Sequence, residues 1–261
     1  MLLPGIGASR RNFARITPAL SERFEVLSVD LPGHGGSPTT SVRPTVAVLA
    51  EAVEAFLDER GIDRAHVLGD SLGGRVALEL GQRRRTLSVV SISPNGLGLP
   101  PERLWQALVL TVARGLARAL RPALPALARR RVARTLLLPE FQARPWASVE
   151  DDLHSLKEGF GEARDYWRVL LWASILDVPV GFDQVDCPVV LAQGVADLVA
   201  AGQTPRYLLL VPGSRFRLLP WAGHAPMSDV PDEVVRLVHE AADAAEDVLR
   251  MAPAAVPAVA A

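Results

Sequence analysis

The sequence predicts an α/β protein, with a mostly parallel sheet, helices on both faces and a helical insertion. Three observations carry this. Short apolar runs alternate with amphipathic runs along most of the chain, as in a parallel sheet covered on both sides. One strand–helix junction holds Gly69-Asp70-Ser71-Leu72-Gly73-Gly74, a sharp turn bracketed by glycines. Residues 97–186 break the alternation with a helical pattern and no convincing strand.

Residues 1–3 read as the end of a strand, and Pro4-Gly5-Ile6-Gly7-Ala8-Ser9 as a glycine-rich turn. Residues 12–23 predict a short helix with Phe13, Ile16 and Leu20 on one face. Residues 24–30 predict a strand ending in Asp30, followed by a loop through Pro38. Thr45 is a good N-cap for a helix through Arg60, and Gly61 stops it.

Residues 65–68 predict a strand, Ser71 the turn and residues 72–82 a helix. G-x-S-x-G in that setting is a nucleophile elbow. Its glycines let strand and helix approach closely. Its serine is left on a tight bend, with free N–H groups of the helix N-terminus where a developing oxyanion needs them. Further strands are predicted at residues 87–93, 189–193 and 216–219. Asp197 follows the second of these and His224 the third, so Ser71, Asp197 and His224 share the carboxyl rim where such sheets bind ligands. Asp183 and Asp186 precede their strand instead. His34 reads as loop structure, in a loop that can border the pocket, and His66, His154 and His239 as surface or packed histidines. The closing helix runs from Pro231 to about Leu249.

This divides the chain into a core (1–96 and 187–250), a helical cap or lid (97–186) and a frayed tail (251–261). From Arg103 to Pro139 there are eight arginines and no acidic residue. Arg114, Arg118 and Arg121 share one helical face, while Leu108, Val112, Leu116 and Leu120 lie mostly on another. The expected arrangement puts the apolar face over the pocket and the arginines in water. The other is a basic amphipathic helix for a membrane surface or an anionic ligand.

The 261 residues suit one sizeable domain, or one domain with an insertion. A hydrophobic content of 49 %, a charged content of 22 % and a net charge of −1 fit a globular protein without a nucleic-acid footprint. The one cysteine, Cys187, cannot form an internal disulfide, which favours the cytoplasm. No uncharged run approaches the roughly 20 residues of a membrane span. No His, Cys or acidic spacing predicts a metal site.

These residues together resemble the α/β-hydrolase superfamily of the cap-bearing type. Residues 2–9 are similar to its oxyanion loop, and Asp30-Leu31-Pro32-Gly33-His34-Gly35-Gly36-Ser37 to the loop after its next strand. Gly69 to Gly74 match the elbow, Gly194-Val195-Ala196-Asp197 the acid loop, and Gly223-His224-Ala225-Pro226 the histidine loop. The resemblance implies a cofactor-independent serine hydrolase with Ser71 as nucleophile, His224 as base and Asp197 orienting it. The backbone N–H groups of Leu72 and Ile6 would form the oxyanion hole. The implied substrate is a small or medium apolar ester, thioester, lactone or activated ketone. A carbon–carbon bond hydrolase of dienol-ketone type, a lyase or perhydrolase, and a non-catalytic ligand receptor on the same fold are the alternatives.

Three departures stand out. Pro4 occupies the place of a usual histidine, so the oxyanion loop is expected to be held by other contacts. Two strands that normally come first are missing, which predicts a start upstream of Met1 and leaves residues 24–30 at the sheet edge. Asp70 puts a carboxylate beside the nucleophile, where carbon–carbon hydrolases often have asparagine, and its charge would raise the pKa of His224. Specificity and oligomeric state have no motif.

Overall fold

A computed structural model describes residues 1–251. The tail predicted at 251–261 lies outside them except for Met251, which ends the closing helix. In chain order the elements are β1 (Leu2–Leu3), α1 (Thr17–Ser21), α2 (Val46–Asp58), β2 (Ala65–Asp70), α3 (Leu72–Gln82), β3 (Thr86–Ile92) and α4 (Pro100–Leu120). Then come α5 (Leu124–Ala128), α6 (Arg131–Leu137), α7 (Glu150–Leu156), α8 (Tyr166–Val169), β4 (Val189–Gly194), β5 (Arg215–Leu219), α9 (Pro226–Asp229) and α10 (Pro231–Met251). The five strands pair in parallel in the order β1-β2-β3-β4-β5. Their apolar side chains point both ways. Val67, Val89 and Leu191 meet Leu49, Val53 and Leu57 of α2 and the apolar face of α3. Leu68, Val90 and Ala192 meet Phe13, Ile16 and the Val234, Leu237 and Val238 face of α10.

Two predicted elements are reduced. The helix expected over 12–23 is a 3-10 turn at Arg10–Phe13, capped by the Ser9 hydroxyl, followed by the five-residue α1. Pro18 has no N–H to give an earlier turn, so it sits in the first turn of a new helix. The strand expected over 24–30 forms a single bridge, Leu2 to Ser28. Its neighbour β1 is only two residues long and offers a correspondingly short ladder, with the Leu2 amide bonded to Leu27 and the Val29 amide to Leu2. Helix α2 follows its signals: Thr45 accepts a hydrogen bond from the Val48 amide at 3.4 Å, and Gly61 takes φ +66° just beyond the end.

Residues 97–186 contribute helices and no strand, and close over the carboxyl ends of β1, β2 and β5. Polar bonds staple them down. Arg75 of α3, almost fully buried, donates to the carbonyls of Ala173 and Asp177 and to the Asp177 carboxylate at 2.8–2.9 Å. The Ser9 amide donates to the Ser155 hydroxyl, and the Ser9 hydroxyl and the Arg11 guanidinium both reach Glu158.

Helix α4 overturns the orientation expected from its pattern. Its buried face holds Gln106, Leu110, Ala113, Arg114 and Ala117, while Leu108, Val112 and Leu116 face solvent. The reason is the buried Arg114 guanidinium. It donates to the carbonyls of Gly159, Phe160 and Ala163 and lies 4.8 Å over the Tyr166 ring. Carbonyls of the π-helical turn at Lys157–Gly161 and of Ala163, two residues beyond it, hold the arginine inward, which turns the leucine stripe outward. No helix among the described residues is long and apolar enough to cross a membrane.

Candidate active site

The site is assembled at the sharp bend between β2 and α3. Ser71 takes φ +53° and ψ −114°, a conformation that L-residues rarely adopt. Two close approaches enforce it. A Cβ on Gly69 would lie 2.1 Å from the Gly73 carbonyl oxygen, and one on Gly73 would lie 2.0 Å from that of Leu3. Glycine at both positions lets the strand, the helix and the end of β1 meet backbone to backbone.

The loop after β1 therefore reaches the serine. A Cβ on Gly5 would meet Ser71 Cβ at 3.0 Å and its Oγ at 3.6 Å. The amides of Ile6 and Leu72 have no acceptor among the described residues, Leu72 because it is the first residue of α3. The contacts expected to replace a histidine at Pro4 come from the helical segment. Gly159 packs against the Gly7 carbonyl and the Phe160 ring covers the Gly7 Cα.

Asp197 and His224 arrive from the ends of β4 and β5. His224 Nδ1 lies 3.0 Å from each carboxylate oxygen of Asp197. Asp197 Oδ1 also accepts the amides of Val199 and Ala200 at 2.8 and 2.9 Å. Burial works to raise the Asp197 pKa, but the His224 charge, its N–H and the Ala200 amide more than offset this and hold it at about 2. Burial likewise works against a charged His224, yet Asp197 and, more weakly, Asp70 raise it to about 8. Ser71 and His224 line one cavity, and among the described residues Ser71 Oγ makes no hydrogen bond.

That cavity holds about 550 Å³ of empty space, including the part open to solvent. Leu110, Leu138, Phe141, Leu156 and Phe160 give it an apolar wall, all from residues 97–186. None of these was legible as a site residue, because a cavity wall needs only bulk and has no motif. Asp229 is a second omission. Its carboxylate accepts the amides of Gly223, Ala143 and Arg144 at 2.8 Å, tying the histidine loop to the segment that carries Phe141. The buried His34 instead sits off the cavity, its Nδ1 3.2 Å from the Pro32 carbonyl. Asp30 organises its own loop by accepting the Arg10 and Gly36 amides.

Asp70 lines the cavity beside Ser71. Its Oδ2 accepts from the Asn12 side-chain amide at 3.3 Å, and its Oδ1 is buried with no hydrogen-bond partner among the described residues. Burial raises its pKa from 3.8 to about 7, with Asp197 adding to this and His224 opposing it. A carboxyl raised on folding makes the folded state bind more protons, so its cost to stability grows as pH rises from about 4 to about 7 and is complete above that. Asp70→Asn is therefore expected to melt roughly 5 °C above the parent at pH 8 and to converge with it near pH 4. Melting curves at both pH values check this, and an equal shift at both would remove the titration of Asp70 as its cause.

Comparison with known proteins gives the family. Residues 1–237 match the family described as "Alpha/beta hydrolase family". The chain belongs to the α/β-hydrolase family. It is 31 % identical over 206 residues to epoxide hydrolase EphH of Mycobacterium tuberculosis, covering 74 % of this chain and 92 % of that one. It is 28 % identical over 247 residues to the pimeloyl-[acyl-carrier protein] methyl ester esterase of Aeromonas hydrophila, covering 91 % and 92 %. By contrast, it spans only 27 % of the length of the acetyltransferase components of acetoin cleaving systems that it matches in Cupriavidus necator and Pseudomonas putida. Among solved structures, the enol-lactonase of Burkholderia xenovorans LB400 superposes with a TM-score of 0.69 at 21 % identity, over 92 % of this chain and 88 % of that one. This α/β-hydrolase therefore has the fold that its sequence motifs imply.

Proposed function

We propose that this α/β-hydrolase is a serine hydrolase of small or medium apolar esters, thioesters or lactones, with residues 97–186 as its cap. The observation that carries the reading is the buried His224–Asp197 pair opening on the cavity that Ser71 lines. Ser71 Oγ attacks the acyl carbon as His224 Nε2 takes its proton. Asp197 keeps the Nδ1–H in place and stabilises the imidazolium. The Leu72 and Ile6 amides receive the oxyanion, and His224 returns the proton to the leaving group. Water activated by His224 then hydrolyses the acyl-enzyme. Apolar walls from the cap favour an apolar acyl group, and the methyl ester esterase among the relatives points the same way.

Labelling with a fluorophosphonate tests this directly. A covalent adduct on the Ser71 peptide is expected on the parent protein and none on Ser71→Ala. An adduct on another residue, or none on folded protein, would remove the assignment and bring forward a non-catalytic receptor. Because His224 must be neutral to accept a proton, ester hydrolysis should rise with pH and level off above about 8.

A second reading, carbon–carbon bond hydrolysis of a dienol-type ketone, draws on Asp70. Its carboxyl in the cavity, with a pKa of about 7, would hold or pass a proton during ketonisation. Parallel assays with aryl esters and a dienol ketone separate the two.

A further inference from the structure

Helix α4 is built inside out. A surface helix ordinarily buries its apolar stripe and exposes its charged residues. Here Arg114 and Gln106 are buried, while Trp105, Leu108 and Val112 are 52 %, 53 % and 59 % exposed. With Leu116 these residues recur at three- and four-residue spacing along one face of the helix. They form one wall of a shallow, almost wholly apolar groove, closed on its other sides by Pro139, Glu140 and Leu198. Trp105 is fixed at its rim by a 2.7 Å hydrogen bond from Nε1 to the Leu198 carbonyl. A contiguous apolar surface of this kind on a globular protein marks an interaction site.

The charges around the groove say what covers it. Arg118 is exposed on α4 about a third of a turn round the helix from the stripe, and Arg129, Arg130 and Arg131 lie exposed at the start of α6. Helix α6 then runs roughly 10 Å to the Pro139–Glu140 wall, so these charges stand about one Debye length from the groove. Among the described residues, none of the four has a carboxylate within 4.0 Å; Arg121 alone in this region has one, Glu162 at 3.9 Å. The one acidic residue lining the groove is Glu140, which burial favours in its neutral form. An apolar stripe with tryptophan at its rim and, nearby, arginines without carboxylate partners is the pattern of a helix lying in a lipid interface.

We propose that the exposed face of α4, with Arg118 and Arg129–Arg131, docks this protein on an anionic lipid surface. The groove shares its wall with the cavity: Leu110 and Leu138 line the cavity, and the adjoining Val109 and Pro139 line the groove. Docking therefore sets the cap, and the apolar chamber beneath it, against the membrane. The proposal does not depend on the identity of the nucleophile, and its test reads binding alone.

The test is flotation of the full chain with vesicles of phosphatidylcholine, alone or with about 30 mol% phosphatidylglycerol. Binding to the mixed vesicles is expected, with about tenfold weaker binding to phosphatidylcholine alone and release as salt rises towards about 0.5 M. Leu108→Glu/Val112→Glu should weaken binding at least about tenfold with an unchanged melting curve, since both side chains are exposed. Vesicles with brominated acyl chains should quench a tryptophan signal that Trp105→Phe removes. Absence of binding to the mixed vesicles, or undiminished binding by the glutamate variant, would overturn the proposal. So would a parent protein that elutes as a dimer which the glutamate variant splits, because the face would then belong to a second copy.

Discussion

Ser71→Ala is expected to lower kcat/KM for an activated ester by roughly 10⁴–10⁶ and to leave the melting temperature within a few degrees of the parent. On the proposed mechanism, the size follows from removing the atom that would form the covalent intermediate, which leaves only binding and the oxyanion donors. The small effect on folding follows from geometry. Among the described residues Ser71 Oγ makes no hydrogen bond, so its loss strands no buried partner there. Alanine meets the same steric penalty at φ +53° as serine. The backbone of the elbow is held by Gly69, Gly73 and the Ser71 amide, which donates to the Ile92 carbonyl at 2.8 Å. A loss below about tenfold, measured beside a fluorophosphonate-labelled control, would place the chemistry elsewhere in the cavity.

The second large effect belongs to Asp197→Asn, with an expected fall of about 10⁴ in kcat. The asparagine oxygen would keep the amides of Val199 and Ala200, which Asp197 Oδ1 now accepts. Its NH₂ would then face His224 Nδ1 in place of Oδ2. A donor there drives the proton of the imidazole onto Nε2, the wrong tautomer for taking a proton from Ser71. The charge that raises His224 to about 8 would be lost as well, so the residual activity should plateau at a lower pH than in the parent. A variant with near-parental kcat would mean that Asp197 only holds its own loop. Comparison with Asp197→Ala separates these outcomes, since alanine also abandons the two amides.

The order of strands, the elbow and the three polar residues on the carboxyl rim were legible because each depends on short-range chemistry. Gly69 and Gly73 are required by a backbone contact a few residues away, or by one with the loop that follows β1. Asp197 stands just after β4, a wholly buried apolar strand, and His224 follows β5, an edge strand of which only Leu219 is buried. Residues 24–30 looked like an equally good strand and form one bridge, because pairing depends on the two-residue neighbour β1 and not on the segment itself. The reading of α4 failed for a different reason. Its periodicity was right and its direction was not, because periodicity shows that a helix has two faces without saying which one is covered.

The sequence by itself therefore determined the architecture, the turn that carries Ser71 and the rim positions of Asp197 and His224. These rest on backbone stereochemistry and on apolar spacing, which are local. Only the tertiary structure decided what encloses the site. Carbonyls of the π-helical turn and of Ala163 beside it captured Arg114, Asp229 joined the histidine loop to residues 143 and 144, and Asp70 was buried beside Ser71. Each of those outcomes turns on which polar groups meet at long range, and a buried charge or unpaired carbonyl costs enough to rotate a helix against its own hydrophobic pattern.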